Sequence, residues 1–193
     1  MTHAPRTDTG TPAPPGSGAD PRLLPRTMRA LEEDARLDAA VDALSPAANR
    51  LVAAAPLRNA LLGRALGHAV HPLLTDLPVG FWTSATALDL TGGRRAHDAA
   101  RRLVGLGVLS AVPTVLTGVA EWAVADRPSR RVGVVHAAAN AAGLWLNVAS
   151  WQSRRHGHHR AGLALTLVAN VAVAVGGQLG GHLTLVRHLG SRT

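Results

Sequence analysis

Asp76, Glu121, His136 and His182 are four ionisable residues, each set in a different long apolar stretch of this 193-residue chain. Carboxylates and imidazoles in apolar surroundings are costly unless they face one another, hold an ion or relay protons. His71 stands at the mouth of the first stretch, His68 lies three residues earlier, and Asn140 lies one helical turn beyond His136. The candidate site is therefore His71, His136, His182, Asp76 and Glu121, with His68 and Asn140 in support. Imidazole and carboxylate ligands suit zinc, iron or manganese. Two facing imidazoles suit a haem iron, and His136 with His182 is the first-choice axial pair, His71 being the substitute. Two other readings stay open: a buried relay that passes protons or a small solute, and polar contacts that only tie helices together. The cofactor is unknown at this level, with haem b or a transition metal as the alternatives. No nucleophile motif, phosphate loop or dinucleotide fingerprint is present, so an independent enzyme is not expected.

The elements that must position these groups are four apolar runs, at about 72–91, 102–124, 132–152 and 160–183. Each is close to the roughly 20 residues that cross a hydrocarbon core. From Val132 to Trp151 and from Ala161 to Leu183 there is no Asp, Glu, Lys or Arg. The separators GGRRAHDAARR, ADRPSRR and QSRRHGHHR are short and charged, as antiparallel neighbours require. The expected fold is all-α: an integral membrane four-helix bundle running up-down-up-down, multi-pass in the cell membrane, with both termini on the same side. That path brings Asp76, Glu121, His136 and His182 toward one face. Small and polar residues at helical spacing mark the inward stripes: His136, Asn140, Gly143, Asn147 and Ser150 on the third run, Gly107, Ala111, Thr114, Gly118 and Glu121 on the second, and Asp76, Gly80, Thr83 and Ala87 on the first. On the fourth, Gly176 and Gly180 overlap a second pair, Gly177 and Gly181. Pro113 is expected to kink the second helix and free carbonyls for a neighbour.

Composition narrows the partners. All 20 basic residues are Arg and the net charge is +8, a balance that often means nucleic acid. Here the Arg residues cluster in the N-terminal part and at the ends of apolar runs, which points to the lipid bilayer and away from nucleic acid. Loop arginines tie at seven on each side, so orientation stays open. With no Cys, disulfides and thiolate sites are excluded, and no iron–sulfur cluster is expected on this chain. His68, His97, His156, His158, His159 and His188 read as interfacial. Residues 1–21 are Pro, Gly and Thr rich, lack an apolar stretch that would serve as a signal peptide, and read as a disordered tail. Residues 22–67 read as short amphipathic helices lying on the membrane or packing on the bundle, with Ser45-Pro46 starting a new helix and Pro56 starting another that ends near Gly67. The membrane domain spans 68–190, and 191–193 form a C-terminal tail. A homo-oligomer is allowed.

The stretch HAVHPLLTDLPVGFWTSATALD, the pattern of Pro113, Thr114, Thr117, Gly118, Glu121 and Trp122, then RVGVVHAAAN and GGQLGGHL resemble, in that order, a family of bacterial and archaeal membrane domains: domain of unknown function 2231. The resemblance covers about Leu66 to Leu189. It implies a small four-helix membrane protein, and because some members carry a fused Rieske iron–sulfur domain, it implies a membrane subunit or anchor associated with electron transfer, with a redox partner such as a Rieske-type protein. The family's histidines map onto His68, His71, His136 and His182, and Glu121 stands where an Asp is common. Only three residues follow Gly190, so no Rieske domain is expected on this chain.

Overall fold

A computed structural model describes residues 26–189. The expected tails at 1–21 and 191–193 fall outside the described residues. Seven α-helices follow in order: α1 (Arg26–Glu33), α2 (Asp38–Leu51), α3 (Ala55–Leu61), α4 (His71–Thr91), α5 (His97–Ala123), α6 (Arg127–Arg155) and α7 (His159–Gly181), the last continuing as a wider π-type turn over His182–Val186. No strand occurs among the described residues. The all-α expectation holds.

The long helices exceed the apolar runs because charged turns extend them at both ends. Asp126 caps α6, accepting a hydrogen bond from the Ser129 N–H at 3.0 Å, and Pro128 occupies the first turn, where a missing N–H costs nothing. Three stretches, Gly93–Ala123, Arg127–Arg155 and His159–Val186, are long and apolar enough to cross a membrane. α4 has 21 residues but carries Asp76 and Asp89. The four long helices pack as two antiparallel hairpins, α4 on α5 and α6 on α7, closed by α5 against α6 and α4 against α7. Leu106, Leu109, Val112, Val115, Val168 and Val171 stand exposed around the outside.

Glycines set the helix spacing. Three tryptophan rings lie where a neighbouring helix has no side chain: Trp82 on Gly107, Trp122 on Gly133, Trp151 on Gly105. This lets a chain with only 3% aromatic residues build a close-packed interior. The rule of small residues pointing inward fails on α4. Asp76, Gly80, Thr83 and Ala87 are all exposed, and the face turned inward is Pro78, Trp82, Ala85 and Asp89. Gly107 receives Trp82, whose indole N–H donates to the Val104 carbonyl at 3.3 Å, so the bulky residue is the one that faces in.

α1–α3 pack on the end of the bundle where α5 finishes and α6 begins. Met28 joins Val132, Leu179 and Leu183, while Ala48, Val52 and Leu62 join Ala120 and Ala123. Arg127 bonds Asp38 and Asp42 at 3.0 and 2.7 Å, and Arg131 bonds Asp38 at 2.8 Å. The hydrogen bond from Arg131, assisted by that from Arg127, holds the Asp38 carboxyl down at about 2. Asp42 is lowered chiefly by its hydrogen bond from Arg127. Two local expectations are corrected. Pro46 lies inside α2 and does not start a helix; Ser45 Oγ donates to the Val41 carbonyl at 2.6 Å, and a continuous face burying Val41 and Ala48 outweighs the one backbone bond the proline removes. α3 does start with Pro56 in its first turn, but it ends at Leu61, because Gly63 turns the chain with a φ of +71° in a spot where a Cβ would strike the His68 carbonyl and the Val70 side chain.

Candidate functional site

α4 and α6 stand on the diagonal of the bundle, and two pairs of polar side chains meet across it at opposite ends. At the end covered by α1–α3, the His71 and His136 rings come within 6.4 Å of each other, centre to centre, nearly perpendicular at 76°. Each ring is pinned from behind. His71 Nδ1 lies 2.9 Å from the Thr114 carbonyl and 3.3 Å from Thr117 Oγ1, both on α5. His136 Nδ1 lies 2.8 Å from the Gly176 carbonyl on α7. A carbonyl oxygen only accepts, so Nδ1 carries the proton in both rings and Nε2 keeps its lone pair. Glycine makes both seats: a Cβ on Gly118 would lie 2.7 Å from His71 Cε1, and one on Gly180 would lie 3.0 Å from His136 Cε1. Asn140 lies in a third glycine seat, against Gly176. Its amide nitrogen is about equally far from both nitrogens of His136, 3.3 and 3.2 Å, and makes its shortest bond to the His136 carbonyl at 3.0 Å. The amide thus braces the ring. The Thr114 carbonyl that receives His71 is not the one a proline at 113 frees, which is that of Leu109 one turn earlier.

The other predicted members are placed differently. Glu121 is buried on α5 one turn beyond Thr117, and its Oε1 has no hydrogen-bond partner. It lines a cavity of about 150 Å³ together with Arg64, Asp126, Ser129 and Arg187. His182 is buried, but its Nε2 lies 2.9 Å from Glu32 Oε1 on α1, so its partner comes from the N-terminal segment and not from the bundle. Asp76 is exposed on the outer face of α4. His68 is exposed in the turn before α4, with Nδ1 3.2 Å from the Ala69 carbonyl. His136 is thus brought near His71, and His136 with His182 is not brought together.

The second diagonal pair was not anticipated. Arg154 on α6 is fully buried and grips Asp89 on α4 through two parallel bonds of 2.9 and 2.6 Å. Its Nε donates to Ser150 Oγ at 3.1 Å, and Ser150 in turn meets Thr166 Oγ1 at 2.8 Å and the Gly162 carbonyl at 2.6 Å. Gly162 provides the seat for the Arg154 side chain. Between the two ends, Asn170 donates to Thr86 Oγ1 at 3.0 Å, and Asn147, fully buried, leaves its Oδ1 without a partner. Above the Arg154 end, His97 stacks on His159 at 4.0 Å, a contact between helix starts that the interfacial reading did not contain.

Two nitrogen donors suffice for the axial positions of a haem iron. Imidazoles sharing one metal at about 2 Å each have ring centres roughly 6 Å apart, close to the separation here. A bare ion needs more: among the described residues, no group of three His, Cys, Asp or Glu side chains is placed to hold one.

The model of one protein family, described as a predicted membrane protein, domain of unknown function 2231, matches residues 67–193. Neither the curated proteins nor the solved structures give a match.

Proposed function

The chain belongs to the family of predicted membrane proteins called domain of unknown function 2231, and from that premise we propose that it is a four-span membrane subunit for electron transfer whose working site is the His71–His136 pair. The observation that carries this reading is the anchoring of both imidazoles. Each Nδ1–H is committed to a backbone carbonyl of a neighbouring helix, which fixes the ring and leaves Nε2 as the ligand atom. α4 is the fourth span: its one inward-facing acid, Asp89, is neutralised by Arg154, and Asp76 lies near its membrane face. Four spans put both termini on one side.

In this reading His71 and His136 would hold a haem b, which would supply one-electron transfer when bound. Gly118 and Gly180 give the rings room, Asn140 steadies His136, and the α1–α3 cover keeps water from that end. The electron partner is a redox protein such as a Rieske-type protein.

A second reading, proton transfer along the bundle, is favoured by one specific observation. The buried oxygens Glu121 Oε1 and Asn147 Oδ1 have no protein partner, and polar atoms in that state are usually satisfied by internal water.

The test is the visible absorption spectrum of protein purified in detergent from haem-sufficient cells. Wild type and His182→Ala should show a haem spectrum, and His71→Ala and His136→Ala should lose it while remaining in the membrane fraction. A colourless wild-type protein would end the haem reading and leave the proton path.

A further inference from the structure

At the Arg154 end, α5 and α6 are separated on the outside by a groove of about 590 Å³. Its floor is Gly105 and Trp151. A Cβ on Gly105 would lie 2.8 Å from the Trp151 indole nitrogen, so the ring reaches α5 only because that position is bare. Its wall is Leu106 and Leu109, 46% and 68% exposed. Its rim is cationic: Arg101 and Arg102 on α5, and Arg155, whose guanidinium lies 4.8 Å over the Trp151 ring.

The charge at this rim is unspent. Arg101 reaches Asp98 at 3.2 Å in an exposed pair of little weight. Arg102 and Arg155 have no carboxylate partner among the described residues. At the opposite end of the bundle, Arg127, Arg131 and Arg187 all rest on acids. We propose that the groove is a binding site for an anionic phospholipid, with an acyl chain along Leu106 and Leu109 and the phosphate on Arg102 and Arg155. Guanidinium groups bind phosphate oxygens through paired hydrogen bonds, and basic pockets at the ends of membrane helices take anionic headgroups. A second apolar helix in the same groove would cover two unpaired cations and leave them unsatisfied. A free inorganic anion would leave the leucine wall unused. The lipid satisfies both halves.

Trp151 reports directly on the occupant. The full chain is reconstituted in phosphatidylcholine vesicles containing a minor fraction of phosphatidylglycerol, with brominated acyl chains on one lipid or the other at equal fraction. The Trp151 signal is the quenching lost in Trp151→Phe. Brominated phosphatidylglycerol should quench it several-fold more than brominated phosphatidylcholine. The double variant Arg102→Gln/Arg155→Gln, both at exposed positions, should remove that preference, and Arg94→Gln/Arg95→Gln in the preceding turn should retain it. Equal quenching in wild type overturns the site, as does a preference that survives in the Arg102/Arg155 variant. Loss of the preference on adding inorganic phosphate would mean an anion site without lipid. Protection from both lipids together with a cross-linked dimer would mean that a second copy fills the groove. Either result also overturns it.

Discussion

The two ends of the bundle carry diagonal pairs with the same register and opposite character. His71 faces His136 and Asp89 faces Arg154, each across an offset of 65 residues between α4 and α6. Eighteen positions of helix separate the pairs, about 27 Å at 1.5 Å per residue, close to the thickness of a hydrocarbon core. The Asp89–Arg154 end is saturated: opposite charges, two parallel bonds, a serine and a threonine behind them. The His71–His136 end is held from behind through Nδ1, with the Asn140 amide nitrogen 3.2 Å from His136 Nε2. One end closes the bundle with an ion pair, and the other brings two imidazoles together inside it.

The closing role gives the largest expected effect. Arg154→Met leaves the Asp89 carboxylate buried without its cation and should cost about 3–5 kcal/mol, read from reversible unfolding in mixed detergent. Adding Asp89→Leu should restore most of that loss, because an apolar pair replaces an ionic one. If the single variant unfolds like wild type, the two ends do not differ in the way described. The imidazole end is sharpened by its glycine seats. Gly118→Ala should cost about 1–3 kcal/mol through overpacking against His71. Gly180→Ala should cost less, since its Cβ would meet His136 at 3.0 Å and not at 2.7 Å. A reversed order in the thermal midpoints would show that the rings are not seated as described. The smallest effect is local and pH-dependent. Asp38 titrates lower in the folded chain than in the unfolded one, so its contribution is complete above about pH 4 and is lost as pH falls toward 2. Amide exchange in α1 and α2 should rise over that window, while α4–α7 stay protected. Uniform loss of protection would mean that the cover and the bundle are one cooperative unit.

Much of this was legible in the sequence. Length and charge placement gave the long helices, and glycine and polar spacing gave the inward faces of α5 and α6. α4 misled because its small residues face out while Trp82 and Asp89 face in. The reason lies on another helix, in the bare surface of Gly107, and no pattern within 71–91 contains it. Arg154 looked like a loop charge because it follows an uncharged run; only the diagonal position of Asp89 reveals it as buried. His182 was read by depth alone, and depth does not disclose Glu32, 150 residues earlier, as its partner. Glu121 was correctly marked as a buried carboxylate, and its lack of a partner belongs to three-dimensional packing. The family resemblance covered the membrane region and carried no information about α1–α3.

The cover formed by α1 and α2 has a consequence for the order of events during synthesis. Its polar partners Arg127, Arg131, His182 and Arg187 all belong to the second hairpin or to its approach and exit. The N-terminal helices are made first, and the surfaces that receive them come from α5, the start of α6 and the end of α7. The contacts of α1 with Leu179, Leu183 and His182 can form only once α7 has been made, whereas those of α2 with Ala120, Ala123, Arg127 and Arg131 need only the chain that precedes it.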